Sequence, residues 1–79
     1  MMSNSVPIYA IVELLIRLEE YNENIGNYKN HVITEKNVRV TTSTGHILLP
    51  LSLVMNQFHS PDAIDETTLK LLAIGYTAI

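Results

Sequence analysis

Three histidines, one hydroxyl-rich turn and one acidic cluster are the places where this chain's residue types could do chemistry. His31, His46 and His59 all flank expected turns. A metal-binding helix sets two histidines four residues apart, on one face, and no pair here has that spacing. The acidic set Asp62, Asp65 and Glu66 lacks the every-second-residue carboxylates around a glycine that hold calcium. It suits the positive end of a helix dipole instead. No metal and no cofactor is expected.

Thr41-Thr42-Ser43-Thr44-Gly45-His46 is the most chemically pointed stretch. Successive hydroxyls and a glycine can aim backbone N–H and O–H groups at a phosphate or carboxylate. Thr42, Ser43, Thr44 and His46, with Lys36 and Arg39 as cations, form the candidate set for a small anionic ligand such as a nucleotide. The phosphate-cradling loop of nucleotide-binding proteins is longer and leads into a Lys and a helix, both lacking here. Ser43 and His46 make no nucleophile–base pair, since no orienting acid accompanies them. Threonine, serine and glycine are also the ordinary residues of a strand and its turn. An enzyme is therefore not expected.

The formal net charge is −3, and the five cations Arg17, Lys29, Lys36, Arg39 and Lys70 form no run. Phosphate-backbone binding needs clustered Lys and Arg to displace counterions. Lys29, Lys36 and Arg39 allow only a small local patch, so nucleic acid is a disfavoured partner. The apolar run from Val6 to Leu18 is broken by Glu13 and Arg17 and is too short to span a bilayer. No basic residue precedes it, which argues against a secretory signal. A cytoplasmic protein of a bacterium or of a virus-infected host cell is expected.

The elements that position these residues follow from periodicity. A helix of about 18 residues is expected first, with Ser5 as N-cap and Pro7 in its first turn. Gly26 or Asn24 is suited to a left-handed cap. Ile11, Leu14, Leu18, Tyr21, Ile25 and Tyr28 alternate three- and four-residue steps, the seam spacing of paired helices. Ile8, Val12, Leu15 and Ile16 add a second apolar flank, leaving Glu13, Arg17, Glu20 and Asn24 as a polar strip. Glu13 and Arg17 are placed to pair one turn apart.

The middle reads as β. Val38 to Thr42 alternates, Ser43-Thr44-Gly45 turns with Gly45 in the left-handed position, and His46 to Leu49 resumes. His31 to Thr34 is a further short strand turning through Glu35-Lys36-Asn37, and Pro50 ends the hairpin. Leu51 to Phe58 is a short helix with Leu51, Val54, Met55 and Phe58 on one face. Ser60-Pro61-Asp62 then opens a C-terminal helix, in which Gly75 marks a close approach. The fold class is α+β: a long N-terminal helix, a central hairpin of two or three strands, a short helix and a C-terminal helix. A mostly α arrangement is the alternative.

Seventy-nine residues make a single domain, 1–79, with a thin stability margin. Without cysteine it has no disulfides and no thiolate zinc site. Hydrophobic residues make up 47% of the chain and charged residues 16%, against about 25% charged in typical domains. A helix apolar around most of its circumference must be covered on two sides. The expected function is a small non-enzymatic interaction or regulatory protein, acting as a homo-oligomer or with a protein partner. An inhibitor, adaptor or assembly factor of viral or mobile-element type fits. The seam residues Ile11, Leu14, Leu18, Tyr21, Ile25 and Tyr28 are the expected interface, with tyrosine as a frequent anchor.

Overall fold

Val38 and Val40 on one strand and Ile47 and Leu49 on the next alternate with polar or exposed neighbours, the period of a sheet with one covered face. In the computed structural model, which describes residues 6–79, they form the middle of a four-stranded antiparallel sheet. The strands are β1 (Tyr28–Thr34), β2 (Asn37–Thr42), β3 (Gly45–Pro50) and β4 (Thr77–Ala78), side by side in chain order. Val38 stands opposite Leu49 and Val40 opposite Ile47, and all four are buried. The helices α1 (Ile8–Glu19) and α2 (Leu51–His59) pack against the sheet, and α3 (Glu66–Ile74) packs on α1. A 3-10 turn, Pro61–Ala63, joins the last two.

The architecture is α+β as expected, with several boundaries displaced. α1 spans 12 residues and ends at Glu19. Past it the chain tightens, with Tyr21 N–H donating to the Leu18 carbonyl at 2.9 Å. No glycine adopts positive φ, so neither Gly26 nor Gly45 serves as a left-handed residue. Gly45 is required for space: a Cβ there would lie 2.1 Å from the Thr77 carbonyl oxygen, because β4 runs against it. Glu35, in the two-residue β1–β2 turn, is the one non-glycine residue with positive φ (50°) among those described. Ser5, the expected N-cap of α1, lies outside the described residues, and Pro7 occupies the cap position.

The C-terminal third differs most. Ser60-Pro61-Asp62 opens only the 3-10 turn, and α3 begins at Glu66 with Asp65 as its cap, Oδ1 accepting from Thr68 N–H at 2.8 Å. Gly75 closes α3 and approaches no other helix. Thr77 and Ala78 then pair with His46 and Gly45. On α2 the covered residues are Leu53, Val54 and Gln57, a face rotated from the one expected, and Phe58 is partly exposed.

Arg17 does not pair with Glu13. Its guanidinium donates to Gln57 Oε1 (2.7 Å), the Pro61 carbonyl (3.0 Å) and the Ile64 carbonyl (3.2 Å). A planar fork with five donors suits three acceptors in different directions, and it ties α1 to the end of α2 and the turn beyond. The one ion pair among the described residues is Lys70–Glu66, one turn apart on α3.

Candidate functional site

The expected interface and the expected ligand set are both largely consumed by the fold. Ile11, Leu14, Leu18 and Ile25 are at most 2% exposed and fill the chain's own core. Buried aliphatic side chains of this size each stabilise a fold by about 1.5–3 kcal/mol, and a small core has no others to use instead. These four seam residues therefore make contacts within one chain. The seam's last three members leave the helix altogether: Tyr21 and Ile25 lie in the connection and Tyr28 opens β1. Tyr21 is half-buried, with Lys70 Nζ 5.7 Å from its ring centre. Its phenol is held above the usual pKa of 10, first by burial and then by Glu66 and Glu20, with Arg17 opposing. Tyr28 is also half-buried, its hydroxyl 2.9 Å from His31 Nδ1.

The hydroxyl turn is likewise committed to its own backbone. Thr42 is buried; its Oγ1 accepts from the N–H groups of Thr44 (3.2 Å) and Gly45 (3.1 Å) and donates to the Gly45 carbonyl (3.2 Å). Ser43 Oγ accepts from Asn27 N–H at 3.0 Å. Thr44 Oγ1 donates to the Asn24 carbonyl at 2.7 Å and meets the Tyr76 hydroxyl. Lys36 lies in the turn at the other end of β2, where it borders a shallow hollow of about 350 Å³ with Leu51, Ser52 and Met55. The six residues of the ligand set are thus divided between the two ends and the middle of β2 and β3, and the fold does not gather them.

Arg39 and His46 remain together, on the sheet face away from the helices. The register places Val32, Arg39 and Leu48 in one row across three strands, and Asn30, Thr41, His46 and Thr77 in the next. Among the described residues no aspartate or glutamate lies in these rows, and Arg39 has no ion-pair or side-chain hydrogen-bond partner. The wider charge pattern agrees. From Tyr28 to Pro50 there are three cations and one anion, a net +2, and the rest of the chain has two cations and seven anions, a net −5. No group of three or more potential metal-ligating side chains occurs among the described residues. No helix among them is long and apolar enough to cross a membrane.

The fold also leaves large apolar side chains uncovered. Ile8, Tyr9 and Ile16 on α1 are 50–57% exposed, and Tyr9 stacks edge-on against the partly exposed Phe58 of α2 at 5.8 Å. Val32 and Leu48 flank Arg39 on the open sheet face at 55% and 53%. Leu71, Ile74 and Ile79 project at the C-terminal side. Ile8 and Ile16 of the second flank, with Tyr9, are the apolar surface this helix offers, whereas Leu15 of that flank is in the core. Leu48 had a visible signal in sequence, since it lies between Ile47 and Leu49, which alternate into the core, and so must point outward.

The edge of β1 completes the inventory. Nothing pairs with its outer side among the described residues, whereas β2 and β3 are paired on both sides. Compared with protein-family models, with curated proteins and with solved structures, the chain matches none.

Proposed function

We propose that this protein is a non-enzymatic interaction module that works by assembling with copies of itself or with a protein partner. The observation that carries the reading is the set of nine large hydrophobic side chains among the described residues, 38–89% exposed, remaining after the core has formed. Isolated exposed apolar residues are ordinary, but these fall into groups on the α1–α2 face, the open sheet face and α3. Apolar groups of this kind, unlike scattered single residues, mark interaction sites in small proteins. Light scattering across the micromolar range tests it: a stable oligomer is expected, and a compact monomer at every concentration removes the support for self-assembly.

The second reading, a binder of small anionic ligands, is favoured by one observation: Arg39 and His46 share an acid-free sheet face. The expected outcome is a thermal shift with an anionic metabolite such as a nucleotide, lost in Arg39→Ala. No shift across nucleotides and phosphosugars would count against it.

A further inference from the structure

The free edge of β1 has a pattern that its own sequence can answer. Leu51 N–H donates to the Lys36 carbonyl at 2.8 Å, and Pro50, which has no N–H, stands opposite Asn37. Backbone polarity alternates along a strand, so Lys36, Val38 and Val40 direct their N–H and C=O groups toward β3, and Asn37, Arg39 and Thr41 direct theirs toward β1. Their partners on β1 are Thr34, Val32 and Asn30. His31 and Ile33 are therefore left with both backbone groups aimed outward. Natural edges are usually blunted by proline, lysine, a bulge or an inward charge. Here Lys29 and a register shift guard only the start of the strand. Asn30 to Thr34 is regular, uncharged and free of proline.

We infer that this edge is occupied by a second copy of the chain, paired antiparallel about a two-fold axis through Val32; this rests on the self-assembly reading above. In that register His31 lies opposite Ile33 of the partner subunit. The two exposed hydrogen-bonding residues of each strand thus exchange bonds with one another, four in all, joining two four-stranded sheets into one of eight. Val32, 55% exposed in the single chain, meets the partner's Val32 on the axis.

Charge fits only this antiparallel sense. Lys29 and Glu35 stand at opposite ends of the strand, so antiparallel pairing brings each Lys29 to Glu35 of the partner subunit, twice per dimer. A parallel pairing would stack like on like. The apolar area comes from α1. A standard stable interface takes about 800 Å² per partner, more than a five-residue edge supplies. Val12 and Ile16 border a hollow of about 100 Å³ with Gly26 and Asn27, the residues leading into β1, so this exposed flank opens toward the same side. A two-fold axis normal to the sheet keeps both helix layers on one face and sets the two flanks beside each other.

Sedimentation equilibrium on the full chain tests the inference. The wild type is expected at twice its 8.9 kDa chain mass. Val32→Glu places two carboxylates on the axis while setting each beside Arg39 of its own chain, and is expected to sediment as a folded monomer. Lys29→Glu and Glu35→Lys, singly, are each expected to weaken the dimer about tenfold, with the double exchange restoring it. A dimer indifferent to Val32→Glu, or a double exchange no better than either single, overturns the β1 pairing and leaves self-assembly through another surface standing. A wild-type monomer at every concentration overturns both.

Discussion

Replacing Thr42 by valine keeps the shape of a buried side chain and removes one oxygen that three groups use. Thr42 is 2% exposed, and its Oγ1 accepts from Thr44 N–H and Gly45 N–H while donating to the Gly45 carbonyl. Thr44 is exposed and its amide can turn to water, but Gly45 is buried beneath β4. The loss is therefore one stranded buried donor, about 1–3 kcal/mol, and one donated bond, about 0.5–1.5 kcal/mol. The two together come to about 2–4 kcal/mol, set against a total stability of about 4–12 kcal/mol for a chain of this length. Thr42→Ser keeps the oxygen and loses one methyl group, about 1 kcal/mol. With a urea m-value of about 1 kcal/mol/M, valine should lower the midpoint by about 2–4 M and serine by about 1 M. Both are measured at one low protein concentration, because self-association raises apparent stability. A valine variant as stable as wild type, or more stable than the serine variant, would show that this hydroxyl is not structural and return it to the ligand set.

Gly45→Ala puts a Cβ into the Thr77 carbonyl, a backbone atom that yields only if β4 lifts; a loss of about 1–3 kcal/mol is expected. Hydrogen exchange should show the Ile79 amide, bonded to the Thr44 carbonyl, unprotected while Val38 and Val40 stay protected. Arg17→Met keeps the aliphatic stem but strands Gln57 Oε1 and the Ile64 carbonyl, and is expected to cost about 1.5–3 kcal/mol in urea unfolding, with Lys at this position recovering only part. The Thr68 N–H holds the Asp65 carboxyl below its ordinary range, so its contribution to stability is present above the unfolded value, about 3.9, and is lost as pH falls through the lower folded one. Thermal melts should therefore show the advantage of wild type over Asp65→Asn shrinking as pH falls below about 4, and a constant difference would contradict the bond.

The hairpin of β2 and β3 was legible because Val38, Val40, Ile47 and Leu49 repeat at the sheet period and Gly45 and Pro50 mark its limits. α1 was legible as a helix but not in length. Tyr21, Ile25 and Tyr28 continue its spacing by coincidence, each buried or half-buried by a different local structure. Periodicity reports that a residue is covered, not by what: the spacing of Ile11, Leu14 and Leu18 reads equally as a contact between chains and as the chain's own core, where α2 and α3 pack on α1. β4 could not be read, because two residues carry no period and Thr77-Ala78 follow directly from a helical stripe. The start of β1 is polar because an edge strand has little to bury, and its bulge breaks the alternation. Arg39's place on a β-strand was legible from the alternation of Val38 to Thr42. The division of Lys36 from Thr42, Ser43 and Thr44 was not, since it depends on which end of the hairpin each occupies.

A chain this small has filled its core and still presents aliphatic and aromatic side chains beside a bare strand edge. The concentration dependence of its mass addresses this most directly, with Val32→Glu run alongside. A wild-type dimer that the substitution splits into folded monomers agrees with a sheet continued across two chains. Equal masses for the two proteins, whether both single or both double, contradict it.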